Sequence, residues 1–514
     1  MRRARVSSLL LAGLLGCAGA PAYRASGVAV PPAFRETPRD TSAALPPPAP
    51  APPVPATPDS TDSLVPPGRA PSDSAVPVVP PAAEAASVDP RTYWRALGDT
   101  TLDRLLDDLV RSNLDVRAAL ARLRGARAAR TETTLDLAPT VNAAGGYTRQ
   151  RLSSVVFPIG GGAFPDQDIW DAGFDASWEL DLFGRVRRNV QAEGALVGAA
   201  NEDLRNVQVA LTAELARTYF ELRGAQERLA VARRNGENQR RTLAVTQQRL
   251  DAGRGTAFDT ERARTQLGFT LASIPGLEAQ VAAAQYAIGT LIGRPPAGVA
   301  RALEPVAPVP ALPADVSVAA PDSLIRHRPD VASAERQAAA GRALVGAAKA
   351  DYLPRINLGG SAGYSAGSFG SLGDGGTFRY AVGPIISWPA LNLGRVKARV
   401  DQSRAQADEA QARYEQTVLR ALQEVETGLS RYRTARARVA RIADAAAASA
   451  RAADLARLRF EGGVADFLQV LDAERTQLDA EDQLAQAHID AATSYAALYQ
   501  ALGGAPADQA AGTR

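Results

Sequence analysis

The segment from Trp170 to Leu182 alternates between apolar and polar residues. Tryptophan, phenylalanine, alanine and leucine occupy every second position, and acidic residues dominate the positions between them. A period of two held over the whole segment predicts a β-strand. The acidic positions are Asp171, Asp175, Glu179 and Asp181. Because four carboxylates on one face are too costly to bury unpaired in a dry core, we expect this face to meet water.

Three weaker segments alternate in the same way. The four predicted strands cover about residues 140–150, 168–182, 356–365 and 377–388. Strands of about 9–11 residues with aromatic residues near their ends are typical of transmembrane barrels, whose apolar face meets lipid and whose polar face lines a lumen. A soluble sandwich sheet is the alternative interpretation of this pattern.

Four strands are too few to close a barrel. Bacterial barrels have at least about eight strands, and an open edge in lipid leaves backbone groups without partners. A membrane barrel would therefore need several copies of the chain. Two copies would supply eight strands and three copies twelve, and the pattern does not choose between them.

A very long helix is predicted after each strand pair. No proline occurs in residues 185–250, and apolar residues recur at three- and four-residue spacing over residues 204–232. This spacing is that of a coiled-coil seam. A matching stretch covers residues 393–460. At about 1.5 Å per residue, each helix would be about 100 Å long.

Each long helix is expected to turn back at a glycine. Gly253 and Gly463 follow the two long helices, and glycine readily supplies the positive φ that a helix end favours. The first returning helix contains the pair Pro275-Gly276, which has no counterpart in the second. Proline predicts a kink or break there, since it lacks a backbone N–H.

The returning helices are too short to cover the long ones. They occupy about residues 256–292 and 466–502, which corresponds to about 55 Å each. The helices that precede the strand pairs, over about residues 101–137 and 321–353, supply the missing length. We therefore expect each of them to stack end to end with a returning helix.

The same order of elements occurs twice along the chain. Leu182-Phe183-Gly184-Arg185 corresponds to Asn392-Leu393-Gly394-Arg395, and such landmarks keep an offset of about 210–215 residues, which indicates one copied unit. Repeat 1 covers about residues 101–293 and repeat 2 about residues 321–504. The predicted fold class is an internally duplicated α+β membrane protein, with long α-helical coiled-coil hairpins and four transmembrane β-strands per chain.

The N-terminus has the layout of an export signal. Three arginines precede an apolar run that is too short to span a membrane. Leu14-Leu15-Gly16-Cys17 resembles a bacterial lipobox, so residues 1–16 are predicted to be a signal peptide and Cys17 the lipid-modified first residue. Cleavage after Ala20 is the alternative, and Pro21 disfavours it.

Proline and alanine dominate the stretch that follows. Residues 17–90 are predicted to be a disordered tether without packed structure. Residues 505–514 are predicted to be a disordered tail. The folded part should therefore cover residues 91–504.

Composition excludes several classes of function. The chain has 514 residues, a net charge of +3 and no concentrated basic patch, so we expect no nucleic-acid partner. Cys17 is the only cysteine, and the two histidines are far apart. We expect no metal, no cofactor other than a covalent lipid on Cys17, and no enzymatic activity, because no nucleophile–base pair or phosphate loop is present.

Three strings carry a resemblance to a known family. They resemble the TolC-like outer-membrane factors of tripartite efflux systems, in particular the NodT-like lipoprotein subfamily, and the resemblance covers about residues 91–504. The strings are Trp178-Glu179-Leu180-Asp181-Leu182-Phe183-Gly184-Arg185, Ala350-Asp351-Tyr352-Leu353-Pro354-Arg355-Ile356 and Ala497-Leu498-Tyr499-Gln500-Ala501-Leu502-Gly503-Gly504.

The resemblance implies an assembly and a location. It implies a homotrimer with a trimeric β-barrel in outer-membrane lipid and an α-barrel that extends into the periplasm. It also implies two partners, a periplasmic adaptor (membrane fusion) protein and an inner-membrane resistance-nodulation-division pump. The implied function is a passive, lipid-anchored export duct for drugs or other small molecules.

The resemblance also implies a gate at the helical tips. An aspartate ring would map to Asp472, with Leu468 at an apolar constriction, Gln469 at a second ring position and Arg475 as a neighbouring cation. Adaptor hairpins would dock at Gly253 and Gly463. The alternatives are a helix-dipole carboxylate for Asp472 and helix caps alone for the glycines.

One latch of the family does not carry over. Asp259 matches one of its residues, but the partner positions hold Phe460 and Ala465, so we expect other contacts to hold the gate. Two other functions stay open from the sequence: a type I secretion duct, and a coiled-coil envelope protein without a channel.

Overall fold

The structure is a computed structural model that describes residues 28–35, 91–152, 165–316, 318 and 320–504. Residues 1–27, including the predicted signal peptide and Cys17, and the tail 505–514 lie outside the described residues. The helices are α1 (Arg91–Arg95), α2 (Thr100–Ser112), α3 (Leu114–Leu135), α4 (Arg185–Asp251), α5 (Ala257–Leu291), α6 (Pro296–Ala300), α7 (Pro321–His327), α8 (Pro329–Ala350), α9 (Leu393–Glu461) and α10 (Phe467–Ala501). The strands are β1 (Thr140–Gln150), β2 (Gln167–Glu179), β3 (Arg355–Ala366) and β4 (Phe378–Ser387).

The helices form four parallel columns. α4 packs against α3 and α8 in its first half and against α5 and α10 in its second half, and α9 packs against α8 and α10. The columns are therefore α3 with α5, then α4, then α8 with α10, then α9. The two long helices contain 67 and 69 residues, so the predicted length of about 100 Å is confirmed.

The strands form one antiparallel sheet in the order β1-β2-β3-β4. The four predicted strands are confirmed to within a few residues of their ends. In the chain, each strand pair connects two helices of its own repeat. The order of the strands across the sheet therefore follows the order of the helical columns. β1 and β4 are the edges of the sheet, and each pairs with one strand among the described residues.

The predicted end-to-end stacking is confirmed in both repeats. Asn113 Nδ2 donates to the Leu291 carbonyl oxygen at the end of α5, at 2.8 Å. Arg328 donates from a guanidinium nitrogen to the Ala501 carbonyl oxygen at the end of α10, at 2.6 Å. Each side chain thus satisfies a carbonyl that has no partner within its own helix.

The stacked helices differ from the prediction in one respect. Residues 101–137 and 321–353 were each expected to form one helix, but each is divided in two, at Asn113 and at Arg328. Both residues have extended backbone, with ψ of 135° and 124°. Asn113 caps α3 by accepting from the amides of Asp115 and Val116, and Pro329 follows Arg328, which disfavours a helical conformation there.

The turns are as expected, but the break predicted at Pro275 does not occur. Gly253 and Gly463 have φ of 71° and 73°, in the region that favours glycine. The helix α5, however, continues through Pro275. Thr270 and Leu277 on either side of the proline are buried, so packing of both flanks keeps the helix continuous.

The prediction that residues 17–90 lack packed structure is wrong for residues 28–35. Phe34 is buried in the main core, and Val28 and Val30 pack against a second apolar cluster. The Arg35 amide donates to Glu426 on α9 at 2.7 Å. Three apolar side chains within a short segment provide enough burial for it to dock, despite its proline-rich surroundings.

The main core lies around the middle of the long helices. Its largest side chains are aromatic and come from several helices, where their rings contact one another in stacked, tilted and edge-on arrangements. The core aromatics are Phe34, Tyr93, Trp94, Tyr219, Phe220, Tyr432, Tyr495 and Tyr499. None of the helices within the described ranges is both long and apolar enough to cross a membrane.

Candidate functional site: the sheet faces and the helical tips

One face of the sheet is polar, as the alternation predicts. The register places Asp171 between Gly146 of β1 and Ser365 of β3, and Asp175 between Asn142 and Ser361. The carboxylates therefore share their face with hydroxyl, amide and glycine positions. This surface suits contact with water along its whole length.

The other face is almost entirely apolar and is exposed in the single chain. Val141, Phe174, Tyr380, Val382 and Ile386 are each more than half exposed. Such a large contiguous apolar surface needs a cover, and it has the composition of a surface in contact with lipid.

A tryptophan stands at the inner end of this face in each repeat. Trp178 Nε1 donates to the Leu137 carbonyl oxygen at 2.9 Å, and Trp388 Nε1 donates to the Tyr352 carbonyl oxygen at 3.0 Å. Tryptophan is enriched where a membrane meets water. The two residues therefore mark one level at which the sheet ends and the helices begin.

Two of the four predicted lumen carboxylates, Glu179 and Asp181, are held by groups at the start of α4. β2 ends at Glu179, not at residue 182, and Asp181 lies beyond it. Asp181 accepts from the amides of Val186 and Arg187 at the start of α4, so it caps a helix and does not extend the polar face of the strand. Glu179 is on the polar face but is held by both guanidinium nitrogens of Arg185, at 2.8 and 2.6 Å.

The predicted gate residues share one exposed side of α10. Leu468, Asp472 and Arg475 follow one another at helical spacing, with Gln469 beside them, and all four are exposed. They lie within the first three turns after the tip. The two turn glycines, Gly253 and Gly463, lie at the ends of the hairpins, where an added Cβ would meet open space.

The opposite side of α10 contains a buried carboxylate that the sequence analysis missed. Glu474 is 4% exposed. Its Oε1 accepts from Thr242 Oγ1 of α4 at 2.7 Å and from Arg457 Nε of α9 at 2.9 Å. Glu474 therefore joins three helices at one point. Glu474 follows Phe467 and Val470 at helical spacing on the buried side of α10. This spacing is the feature of the sequence that could have indicated its burial.

A second contact joins the two hairpins at their tips. The Arg249 guanidinium, near the end of α4, lies 4.0 Å from the centre of the Phe460 ring of α9. It also donates to the backbone carbonyl oxygens of Phe460 and Glu461. These carbonyls end a helix and have a partial negative charge, which a cation stabilises. Phe460 is one of the two positions at which this chain lacks the latch residues of the family.

Further polar contacts hold α10 against α4 above the tip. Glu481 accepts from Arg234 at 2.7 Å, from Asn235 at 3.1 Å and from Gln477 at 2.8 Å. Arg228 forms a bidentate pair with Asp482, at 2.8 and 3.1 Å. Burial opposes ionisation of Glu481, but the hydrogen bonds from Gln477 and Arg234 outweigh it and lower its pKa.

This lowered pKa predicts a loss of stability in acid. Stabilisation by Glu481 is complete above its ordinary pKa of 4.5 and disappears as the pH falls through the lowered value. We expect the difference in thermal midpoint between the wild type and Glu481→Gln to shrink when the pH is lowered from about 6 to about 3. A difference that stays constant over this range would contradict the assignment.

The residues described do not form a metal site. No group of three or more His, Cys, Asp or Glu side chains within the described ranges is placed to hold a metal ion. The polar groups brought together are instead the sheet carboxylates and the contacts between hairpins. The arrangement suits passage of solutes along a surface and movement of helices.

A sheet with one lipid-like face and one wet face, continued by helical columns about 100 Å long, defines a duct-forming outer-membrane protein. The chain belongs to the outer membrane efflux protein family, whose model matches residues 105–294 and 320–504. Its function is that of the outer-membrane channel component of an efflux system.

Named relatives and solved structures agree with this family. SrpC, a solvent efflux pump outer membrane protein of Pseudomonas putida, is 31% identical over 414 residues, which are 79% of this chain and 86% of SrpC. Outer membrane protein OprJ of Pseudomonas aeruginosa is 31% identical over 424 residues, 82% of this chain and 88% of OprJ. The outer-membrane channel OprN matches with a TM-score of 0.76 at 38% identity, over 83% of this chain and 97% of the OprN chain.

Proposed function

We propose that three copies of the chain form one closed duct, with a twelve-stranded β-barrel above an α-barrel. The observation that carries this proposal is that both layers have open edges. β1 and β4 each have one partner strand in the described part of the chain. The α3–α5 column and α9 are the outer columns of the helical layer. Neighbouring copies would cover both edges at once.

Exposed apolar side chains on the outer columns support this assembly. Phe258 and Phe269 on α5 are well exposed, and so are Leu455 and Leu458 on α9. These two groups belong to opposite edges near the tips. In a ring of copies, the α5 edge of one chain would lie beside the α9 edge of the next, and the apolar groups would lose their contact with water.

The hairpin tips would be the docking sites of the partners. The open space around Gly253 and Gly463 suits the approach of helical hairpins from a periplasmic adaptor, which would connect the duct to an inner-membrane resistance-nodulation-division pump. The relatives named above include a solvent efflux pump protein, which favours small organic molecules as cargo. The duct would be passive and perform no catalysis.

The exposed side of α10 would form the gate. In a threefold ring, three copies of Asp472 would face one axis, with Leu468 as an apolar constriction beside it. Like charges on an axis repel one another and attract cations, and Arg475, one helical turn away, would offset part of the repulsion. Glu474 and Arg249 would hold this side in place from behind.

Asp472 is expected to limit conduction through the closed duct. The wild-type protein should show low ion conductance in a planar bilayer, and Asp472→Ala should raise it, because the charged ring at the narrowest point is lost. The Asp259→Ala variant is the control and should conduct like the wild type, because Asp259 is partly exposed in the first turn of α5 and its carboxylate accepts a hydrogen bond from Thr256 of the same turn. Equal conductance for all three proteins would place the constriction elsewhere.

The length of the N-terminal segment supports a lipid on Cys17. Eleven residues lead from Cys17 to Val28, which extended would span about 36 Å. Val28 packs against the cluster that contains Tyr414, and Tyr414 lies 21 residues, or about 32 Å, along α9 from Leu393. A lipid on Cys17 would therefore reach the level where the strands end.

A lipid on Cys17 has a direct test. Cells fed labelled palmitate should incorporate the label into the wild-type protein and not into Cys17→Ser. Since the proposed barrel would itself span the membrane, we expect the variant to remain in the outer membrane. Equal labelling of both proteins would contradict lipidation at this residue.

A further inference from the structure

The polar face of the sheet contains an ion pair between strands that are not neighbours. Arg379 on β4 places a guanidinium nitrogen 3.2 Å from Oδ1 of Asp171 on β2. β3 lies between these two strands. The side chain of Arg379 therefore spans the full width of β3.

Two glycines make this contact possible. The register aligns Arg379, Gly363 and Gly173 in one row across β4, β3 and β2. Neither glycine has a side chain on the polar face. Asp171 lies in the next row of that face, opposite Ser365, so Arg379 reaches it diagonally past the side-chain-free position at Gly363. The strands also approach closely here, since a Cβ on Gly363 would lie 2.4 Å from the Ala172 carbonyl oxygen. Because the neighbouring positions in this row have no side chains, the long side chain of Arg379 can lie across β3.

The other charges of this face have separate partners, with one exception. Glu179 pairs with Arg185, and Arg355 pairs with Asp351 at 2.6 Å. Asp175 faces Asn142 and Ser361 and has no ionic partner among the residues that the structure describes. The face of each chain thus presents two neutralised carboxylates, Asp171 and Glu179, and one carboxylate without an ionic partner among the described residues, Asp175.

We propose that Arg379 sets the ionic preference of the duct by neutralising Asp171, so that Asp175 alone gives the strand lumen its charge. The proposal rests on the proposed function, in which the polar face lines a water-filled lumen. With Arg379 in place, three carboxylates would act on passing solutes. Without it, six would do so, and anionic solutes would meet a higher barrier.

The effect belongs to permeation more than to stability. Both side chains of the pair are well exposed, at 51% and 38%, and exposed ion pairs contribute little to folding. A unit charge lining a watery lumen still acts on an ion that passes a few ångströms away. At about 7 Å in water with about 0.1 M salt the screened interaction is about 0.3 kcal/mol. Because it acts with opposite sign on cations and anions, their preference changes by about 0.6 kcal/mol, which corresponds to about a two- to threefold change in the ratio.

The test is the reversal potential of reconstituted channels under a potassium chloride gradient. Arg379→Gln should shift the permeability ratio towards cations by about two- to threefold, since it exposes the charge of Asp171. Asp171→Asn should shift it by a similar factor towards anions, because it leaves Arg379 unpaired. The double variant should return close to the wild type, and Arg379→Lys should retain the wild-type ratio.

The signs of the two shifts in permeability ratio decide whether Arg379 neutralises Asp171. Absence of a shift in both single variants, or shifts of the same sign, would overturn the role of Arg379. If Arg379→Gln fails to assemble, Asp171→Asn still tests the proposal, because its expected shift has the opposite sign. A wild-type protein that forms no conducting channel would contradict the proposed function itself, which is a distinguishable outcome.

Discussion

Replacement of Glu474 by alanine should raise the conductance of the closed channel several-fold. Glu474 is the buried point at which α10 is joined to α4 through Thr242 and to α9 through Arg457. The exposed gate residues lie on the opposite side of the same turns of α10. Loss of this carboxylate leaves Thr242 and Arg457 without their shared partner and weakens the attachment of α10 to α4 and α9 at the tip.

The expected size follows from the energy of the contact. Loss of a buried, charge-assisted hydrogen-bond partner costs about 1–3 kcal/mol. If the contact exists only in the closed state, the balance between closed and open tips shifts by about 5- to 150-fold. Glu474→Gln retains an acceptor for Thr242 and should have a smaller effect.

Single-channel recording in planar bilayers measures this effect. The control is Glu237→Ala on α4, since Glu237 is half exposed and pairs only with exposed arginines of its own helix. The control should conduct like the wild type. If Glu474→Ala conducts no more than Glu237→Ala, the buried contact does not hold the tip closed.

Replacement of Gly363 by alanine should prevent normal assembly of the sheet. A Cβ at this position would lie 2.4 Å from the carbonyl oxygen of Ala172 and 2.6 Å from the Cα of Gly173. Both obstacles are backbone atoms, so β2 and β3 would have to move apart. Overpacking of this kind costs about 1–3 kcal/mol, and here it acts where the two repeats join within the sheet.

A matched glycine provides the control. Gly383 of β4 is on the same polar face, and an added Cβ there would meet no atom within 4 Å. Gly383→Ala should reach the outer membrane at wild-type levels and unfold at the wild-type temperature. Gly363→Ala should show a reduced yield and a lower thermal midpoint. Equal behaviour of the two variants would contradict the close approach of β2 and β3.

The sequence predicts the elements of this fold well, because their periods are long and consistent. Alternation over Trp170–Trp178 has one structural interpretation, and it places Asp171 and Asp175 on the correct face. The long helices follow from the absence of proline and from the seam that includes Leu215 and Leu222, both buried. The duplication then predicts the second copy from the first.

Local competition explains the errors. Asp181 continues the alternation in sequence, but the amides at the start of α4 provide better partners for its carboxylate than a strand position does. Asn113 and Arg328 end their helices because each supplies a side chain to the end of another helix, which only the assembled fold reveals. Pro275 breaks no helix, because the packing of its flanks outweighs its local cost.

The contacts that hold the tip could not be assigned from the sequence. Glu474, Thr242 and Arg457 lie on three different helices, and their meeting depends on the register between helices. The same holds for Arg379 and Asp171, which are far apart in the chain. The sequence predicts which residues lie on the same face of the sheet, but only the structure shows which charged side chains form ion pairs.

One chain of this protein is proposed to be an incomplete part of a ring. Native mass spectrometry of the protein, purified from outer membranes in mild detergent, tests it most directly. We predict a single main species that contains three chains, which supplies twelve strands and covers every open edge. A main species with one chain, or with two, would contradict the account.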